Sequence, residues 1–242
     1  MWADVEERSL TRFDVRSGSD QTLIAELDGL LCWPERASAL LLLAHGAGAG
    51  MAHRNLAHIS EGLAQLGIAT LRFNFPFMQA GAKRVDDIPT AVSTIAAALQ
   101  HARALMQTRH ALPVFAGGHS FGARMTTHAA AIGALSGVHG LTLCAFPLHT
   151  AGKPATQRAE HLARVSLPSL YISGTRDALA DLLLLRECLR PLSNVELHEL
   201  HDADHSYVAR RRERVDKVLV LDELVSVAAA WMHGQIARVT LN

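Results

Sequence analysis

One serine lies between glycines in the segment PVFAGGHSFGAR, residues 113–124, where an apolar run meets a helical pattern. Residues 118–122 read G-H-S-F-G, and this G-x-S-x-G spacing at a strand-to-helix junction is typical of a tight turn that exposes the serine hydroxyl. The backbone N–H of Phe121, at the start of the helix, can then stabilise an oxyanion on an attacked carbonyl. An incidental serine in a glycine-rich turn is the alternative. We favour Ser120 as a nucleophile because the motif has the flanking strand and helix that give it meaning.

An acid and a base follow two later apolar runs. Asp177 follows the run at 169–174, and His205 follows the run at 195–200. The order Ser, Asp, His along the chain is the one expected when these groups lie on successive strand ends of a parallel sheet. The alternatives are helix capping for Asp177 and an ordinary loop position for His205. We predict that Asp177 orients His205 and that His205 removes the proton of the serine.

Three further aspartates, Asp181, Asp202 and Asp204, lie near these residues in the sequence. Asp202 and Asp204 share a loop with His205 and would have to fold back to reach its Nδ1 atom. Asp181 lies one turn into a predicted helix and is the second choice. Asp177 is favoured because it reaches the cleft from the neighbouring strand end.

A loop of small residues, HGAGAG at 45–50, follows the apolar run ALLLLA. Such a loop can bring a second backbone N–H to an oxyanion, and we predict that Ala47 supplies it. A dinucleotide-binding loop is the alternative. Its glycine spacing does not fit, because each G-x-G-x-x run reaches Met51 or His53 instead of glycine, and the next strand ends in N-F-P without an acidic residue for a ribose.

Short apolar runs alternate with longer helical patterns along the chain. This alternation is typical of an α/β fold with a mostly parallel central sheet flanked by helices on both faces. Ligands bind beyond the carboxyl ends of the strands in such sheets, where the serine, the aspartate and the histidine are predicted to lie. The predicted strands are 21–27, 39–45, 68–75, 113–118, 141–146, 169–174 and 195–200, and the predicted helices are 52–67, 88–106, 121–133, 177–189 and 214–234.

Composition limits the class of protein. No repeat or linker divides the 242 residues, so we expect a single domain over 1–242. Lysine plus arginine equal aspartate plus glutamate at 23 each, which argues against nucleic acid or an anionic membrane as a partner. The three cysteines form no C-x-x-C pair, the N-terminus lacks a signal peptide, and the apolar runs are too short to span a bilayer. We expect a cytoplasmic protein that acts on a small molecule, with a homodimer left open.

Two segments suggest other ligands. The run HELHDADH at 198–205 is similar to the H-x-H-x-D-H run of binuclear metal hydrolases, but its first pair is H-x-x-H, so we expect neither a metal nor a cofactor. The basic run RRRER at 210–214 could contact nucleic acid. Acidic residues dilute it, and a solvated face is the favoured interpretation.

The surroundings of the predicted pocket come from two other segments. Residues 147–168 lie where such folds insert a lid, and they have room for one short helix. We therefore expect a short lid and a site open to water, which suits hydrolysis better than transfer to another acceptor. Phe75, Phe77 and Met78 continue past a strand end, and we expect them to line the pocket, with a core position as the alternative.

The segments AHGAGAGM, RFNFPFM, GGHSFGAR, FPLHTAGKP, SGTRD and ADHSY together resemble the α/β-hydrolase superfamily. The resemblance runs from about residue 20 to 235 and is strongest to small, short-lidded, dienelactone-hydrolase-like members, in a subgroup that includes the hydrolase-like subunit of a metazoan histone-acetyltransferase complex. It implies Ser120 as nucleophile, Asp177 as acid, His205 as base, and Ala47 and Phe121 as oxyanion donors. Dienelactone hydrolases themselves use a cysteine nucleophile, so the serine does not support dienelactone as the substrate. Proteins with this fold catalyse many different reactions, so the resemblance does not identify the substrate.

The sequence therefore predicts a serine hydrolase that acts on carboxylic esters or thioesters through a Ser-His-Asp triad and an acyl-enzyme. Esters are favoured over amides because they demand less of the leaving group. The alternative from a different class is a catalytically idle interaction module on the same fold.

Overall fold

A central sheet of eight strands organises the protein in a computed structural model that describes residues 7–17, 21–109, 111–210 and 218–240. The strands are β1 (Glu7–Ser17), β2 (Thr22–Trp33), β3 (Ala39–Ala44), β4 (Ile68–Phe73), β5 (Val114–His119), β6 (Gly140–Cys144), β7 (Ser169–Gly174) and β8 (Val195–Leu200). Their spatial order is β1-β2-β4-β3-β5-β6-β7-β8. All neighbours from β4 to β8 in this order are parallel, whereas β2 is antiparallel to β1 and to β4. The predicted mostly parallel sheet is confirmed.

Helices cover both faces of the sheet, as predicted. They are α1 (Arg54–Gln65), α2 (Pro76–Gln79), α3 (Ile88–Gln107), α4 (Phe121–Ala131), α5 (Leu182–Leu189) and α6 (Val218–Thr240), with a 3₁₀ helix at Gln157–Arg164. The leucines of β3 show how the layers form: Leu40 and Leu42 pack into the core that includes α3 and α4, and Leu41 and Leu43 into the core that includes α1 and α6. Each buried leucine contributes about 1.5–3 kcal/mol, so this strand is held from both sides. None of the helices in the described ranges has the length and apolarity needed to cross a bilayer.

The sequence prediction missed β1. Its buried residues Phe13 and Val15 alternate with the exposed residues Arg12, Asp14 and Arg16, so one face packs on the core and the other is solvated. Such an alternating pattern is expected of an antiparallel edge strand, but the many charges made the segment look like a loop. The same pairing extends β2 to Trp33, beyond the predicted end at residue 27.

One predicted helix begins later than expected. The helix predicted at 177–189 begins at Leu182, with the Asp181 side chain accepting the N–H of Leu184 as the N-cap. Residues 177–180 form the turn that leaves β7, because Asp177 is used there in side-chain contacts. The helix predicted at 214–234 is seen as α6 from Val218 onward, and its first four predicted residues lie outside the described residues.

Glycines allow β3, β5, β6 and α4 to approach each other around residue 120. A Cβ at Gly117 would overlap the carbonyl oxygen of Thr142, and Cβ atoms at Gly118 and Gly122 would overlap the carbonyl oxygen of Ala44. Backbone atoms cannot move away without disturbing the sheet. The glycines are therefore required by packing at the junction.

We predict that Gly117→Ala lowers the free energy of unfolding by at least about 1–3 kcal/mol, because the new methyl group meets backbone in a strand interior. Gly234→Ala in α6 is the matched control. A Cβ there meets nothing within 4 Å, so the same change should stabilise the helix by about 0.5–1 kcal/mol. Urea unfolding of both variants measures these changes, and equal stability of the two would contradict the packing argument.

Candidate active site

Ser120 occupies a sharp turn between the last residue of β5 and the first residue of α4. Its φ of 54° and ψ of −113° are rarely adopted by a residue with a side chain and cost of order 1–3 kcal/mol. The turn is held by the N–H of Ser120, which donates to the carbonyl oxygen of Cys144 at 2.9 Å, and by the N–H of Arg124, which donates to the carbonyl oxygen of Ser120 at 3.0 Å. Phe121 is the first helical residue, so its N–H has no acceptor within the helix. The strained turn thus presents both a hydroxyl and an amide at the carboxyl end of the sheet.

Ser120, His205 and Asp177 form one hydrogen-bonded chain. The Ser120 Oγ lies 2.8 Å from His205 Nε2, and His205 Nδ1 lies 2.8 Å from Asp177 Oδ2. Because a carboxylate only accepts, Nδ1 carries the proton and Nε2 accepts the serine hydroxyl. The second carboxylate oxygen of Asp177 accepts the N–H of Leu179 at 2.8 Å, and the Asp177 side chain is buried. The structure therefore brings together the three residues that were singled out in the sequence.

The other three candidate aspartates are engaged elsewhere. Asp181 caps α5. Asp204 accepts the N–H groups of Ser206 and Val208, both at 2.9 Å, and so closes the turn of its own loop. Asp202 accepts the backbone N–H and the Nε–H of Arg210 at 2.7 and 2.8 Å. Of the four carboxylates, Asp177 is the one that lies within hydrogen-bond distance of the imidazole.

The His205 loop is anchored on the Asp202 side chain. Asp202 has a φ of 56°, its N–H donates to Thr175 Oγ1 at 2.8 Å, and Arg176 donates to its carbonyl oxygen at 3.1 Å. The hydrogen bond from Arg210 lowers the pKa of the Asp202 carboxyl group, so the anchor is ionised at neutral pH. These contacts tie the loop after β8 to the segment after β7, and thereby hold His205 opposite Asp177.

His119 fixes the histidine loop from the other side, and the sequence prediction did not assign it a role. Its Nε2–H donates to the carbonyl oxygen of His205 at 3.1 Å, and its ring contacts the rings of His205 and Tyr207 at centroid distances of 5.2 and 5.3 Å. Burial, and then the nearby His205, lower the pKa of His119 to about 4. The ring is therefore neutral at neutral pH and adds no charge beside the imidazole. Its position directly before Ser120 was the available signal.

His45 holds the loop 45–50 against the segment that follows β4. Its Nδ1–H donates to the carbonyl oxygen of Gly46 at 2.7 Å, and its Nε2 accepts the N–H of Phe75 at 3.0 Å. A ring that donates at one nitrogen and accepts at the other is neutral, and burial lowers its pKa to about 4. This fixes the backbone next to Ala47. The sequence prediction had identified the loop by its small residues and missed the histidine.

Two cavities meet at Ser120. The larger, of about 680 Å³, is lined by residues that include Ala47, Phe121 and Arg124. The smaller, of about 380 Å³, is lined by residues that include Ala47, His119 and His205. Ser120, Ala47 and Leu179 line both. A substrate whose reacting carbonyl lies at Ser120 can therefore place one half in each cavity.

Phe75, Phe77 and Met78 were expected to line the pocket, and this expectation is wrong. Met78 packs against the core and lines neither of the two cavities, and the same holds for the two phenylalanines. Both rings are buried, contact His45 and Phe121, and line neither of the two cavities. They belong to the core next to the loop 45–50, because their rings pack on His45 and on each other. Their packing supports the backbone around the site without meeting a ligand.

The histidines of the run at 198–205 have different partners. His198 Nε2 lies 2.8 Å from a carboxylate oxygen of Glu223 on α6, whereas His205 contacts Ser120. Within the described ranges, no three His, Cys, Asp or Glu side chains cluster as metal ligands would. Of the basic run, Arg210 pairs with Asp202, and residues 211–214 lie outside the part of the chain that the structure describes.

Residues 37–233 match the sequence profile of a protein family described as Alpha/beta hydrolase domain. That span contains the strands from β3 to β8, the loop 45–50 and the residues Ser120, Asp177 and His205. The match therefore covers the whole parallel part of the sheet and every residue of the candidate site.

Solved structures share the fold at low sequence identity. The dienelactone hydrolase of Anabaena variabilis is 22% identical, with 93% of this chain and 98% of that chain covered and a TM-score of 0.70. Est1E from Butyrivibrio proteoclasticus is 15% identical, with 94% and 99% covered and a TM-score of 0.71. XC6422 from Xanthomonas campestris, an α/β serine hydrolase without a lid, is 22% identical, with 93% and 96% covered and a TM-score of 0.67. At such identities these likenesses support the fold.

We predict that Asp202→Asn destabilises the protein in a pH-dependent way. The folded-state pKa of Asp202 lies below its unfolded value of about 3.9, so its stabilisation is complete above that pH and is lost as pH falls through the folded-state pKa. The difference in free energy of unfolding between parent and variant should therefore be constant at neutral pH and shrink in acid. Urea unfolding at a series of pH values measures it.

Asp14→Asn is the control for the Asp202 experiment, because Asp14 pairs with Arg16 on an exposed edge and should contribute little at any pH. A difference for Asp202→Asn that stays the same at acid and neutral pH would contradict the role of the charged anchor.

Proposed function

Because the chain belongs to the alpha/beta hydrolase family, we propose that it is a serine hydrolase that cleaves carboxylic esters or thioesters through an acyl-enzyme. The observation that carries this proposal is the unbroken chain of contacts from Asp177 through His205 to Ser120, at 2.8 Å for each link. A neutral imidazole that accepts from a serine hydroxyl and donates to a buried carboxylate is the arrangement that activates a serine. A structural serine would not need the partners.

In the first half of the reaction, His205 Nε2 takes the hydroxyl proton while Ser120 Oγ attacks the carbonyl carbon of the substrate. The carbonyl oxygen becomes an oxyanion, and we assign the N–H groups of Ala47 and Phe121 as its donors, because both residues line the cavity beside Ser120. One such donor is worth roughly 10²- to 10³-fold in turnover. His205 then gives its proton to the departing alkoxide or thiolate, and an acyl-serine remains.

In the second half, His205 takes a proton from water, the resulting hydroxide attacks the acyl carbon, and the proton returns to Ser120 as the acid is released. Asp177 does not itself take a proton. It keeps the Nδ1–H tautomer and stabilises the imidazolium that forms in both halves.

Water must reach the acyl-serine, and we propose that a short lid permits it. Between β6 and β7 the only helix in the described residues is the 3₁₀ helix Gln157–Arg164. An open site favours water as the acceptor over a second organic substrate. Est1E, whose fold is similar, has been solved with ferulic acid bound, and XC6422 is named as a serine hydrolase without a lid.

The finer assignments are also proposals. We place the chain in the dienelactone-hydrolase-like group, in the subgroup that resembles the hydrolase-like subunit of a histone-acetyltransferase complex. We also expect a single domain and a cytoplasmic location. The expected partner is a small-molecule substrate, with no nucleic acid or membrane. Serine at position 120 argues against dienelactone itself.

We predict that a fluorophosphonate probe labels the protein and that Ser120→Ala abolishes both the labelling and nearly all hydrolysis of 4-nitrophenyl acetate. Labelling requires an activated serine, and the contact with His205 supplies the activation. Ser193→Ala, at an exposed serine outside both cavities, is the control and should react like the parent. A folded parent that resists the probe would instead indicate the catalytically idle interaction module.

We predict that Asp177→Asn lowers kcat by roughly 10²- to 10⁴-fold with an intact fold, because an amide permits the wrong imidazole tautomer. Asp204→Asn is the matched control. An asparagine oxygen can still accept from Ser206 and Val208, so kcat should fall far less. Steady-state kinetics and circular dichroism of both variants decide the assignment, and the reverse ranking with both proteins folded would show that Asp177 is not the acid.

A further inference from the structure

The larger cavity has two arginines beside the reactive serine. Arg124 lies one helical turn after Ser120 on α4, and Arg158 comes from the 3₁₀ helix between β6 and β7. Both residues line the larger cavity, together with Ser120 and Phe121. The wall of this cavity is therefore formed in part by two arginines from separate segments.

Neither arginine is paired with a carboxylate among the described residues. The Arg124 Nε is buried without a hydrogen-bond partner. Within the described ranges, Arg158 donates only through Nη1, to the carbonyl oxygens of Pro147 at 3.4 Å and His149 at 3.0 Å. These two contacts position the Arg158 guanidinium and leave its other donors for a ligand. No described residue accepts from the Arg124 side chain, so an anion in the cavity would be the first acceptor for the outer N–H groups of its guanidinium.

Positive charge accumulates on this side of the cavity. Burial, and then the charge of Arg158, lower the pKa of Arg124, yet an arginine remains protonated in proteins. Burial and nearby cations, among them Arg124 and Arg164, lower the pKa of both His128 and His161 to about 4, so these stacked imidazoles are neutral and leave the arginines as the charged groups.

The two aspartates that line the same cavity accept hydrogen bonds from backbone N–H groups. Asp87 accepts the N–H of Thr90 at 2.9 Å as the N-cap of α3, and Asp86 accepts the N–H of Phe77 at 3.3 Å. Arg84, which also lines the cavity, lies near Asp87 and offsets part of its charge. Neither carboxylate forms an ion pair with Arg124 or Arg158 in the part of the chain that the structure describes.

The position of His205 decides which half of a substrate meets the arginines. The imidazole must protonate the leaving group, and His205 lines the smaller cavity together with Ser206 and His53. The leaving group therefore belongs in the smaller cavity. The acyl half extends in the other direction, along α4 toward Arg124.

We propose that Arg124 and Arg158 form an anion-binding subsite, and that the natural substrates are esters or thioesters whose acyl half ends in a negatively charged oxygen group, a carboxylate or a phosphate. The inference rests on the proposed function and specifies its substrate class. Guanidinium groups bind both anions through paired, charge-assisted hydrogen bonds. A neutral group accepts hydrogen bonds more weakly, so two arginines in a partly buried cavity favour an acyl half with an anionic end over one with a neutral end.

The test compares kcat/KM for two 4-nitrophenyl esters at low ionic strength. One is the monoester of adipic acid, and in the other the free carboxylate of that ester is replaced by a neutral amide. We expect the parent to prefer the anionic ester by about 10- to 100-fold, the range of a charged hydrogen bond at such a site. Arg124→Gln and Arg158→Gln should each reduce that ratio strongly, and Arg124→Lys should restore part of it. The corresponding ester of 4-phosphonobutanoic acid tells a phosphate preference from a carboxylate preference.

Arg164→Gln is the matched control, because it removes one positive charge from the same 3₁₀ helix at an exposed position that does not line the cavity. It should keep the ratio of the parent. An equal loss in this variant would assign the preference to overall charge and overturn the subsite.

A second readout does not depend on turnover. Adipate or inorganic phosphate should raise the Tm of the parent and fail to raise that of folded Arg124→Gln. Ser120-dependent hydrolysis without preference for the anionic ester, and without a Tm shift, would overturn the subsite and leave the serine hydrolase standing. Absence of probe labelling and of all hydrolysis would overturn the proposed function, and with it the substrate class.

Discussion

The left-handed backbone of Ser120 is the constraint on which the site depends. A residue with a side chain at φ 54° is strained, and the strain is tolerated because β3, β5, β6 and α4 pack around the turn too closely for any other path. Glycines at 117, 118 and 122 permit that approach, since a Cβ at each would overlap a carbonyl oxygen. The same turn aims the hydroxyl out of the sheet and leaves the Phe121 amide at the first helical position. One strained residue thus aligns the candidate nucleophile and one oxyanion donor.

The remaining groups are positioned by neighbouring strand ends. β7 and β8 are parallel neighbours, so the loops that follow them lie side by side, and Asp177 meets His205 across the gap. The Asp202 anchor and the His119 contact restrain the histidine loop from two directions. Burial keeps His45 and His119 neutral, so each contributes a fixed hydrogen bond without a competing charge. The two supporting imidazoles therefore hold the backbone around the site without adding charge to it.

Charge is distributed unevenly around Ser120. The smaller cavity contains the histidine loop and the small residues of the loop 45–50, whereas the larger cavity contains Arg124 and Arg158. A protein with equal numbers of acidic and basic residues can still present a local field where charges of one sign lie close together. The balance of charges in the sequence argues against long-range attraction of nucleic acid or an anionic membrane. It does not exclude attraction of a small anion into one cavity.

The sequence by itself determined the α/β class, the parallel strands and the three side chains at their ends, because apolar runs, G-x-S-x-G spacing and chain order are local or sequential properties. It could not find β1, whose alternating charges look like a loop until its inner face has a core to cover. Only the tertiary structure showed which of the four aspartates contacts His205, that Phe75 lies in the core and that Arg158 and Arg124 line one cavity. These outcomes depend on which distant segments meet, and that is set by the packing of the sheet and helices, which no local pattern encodes.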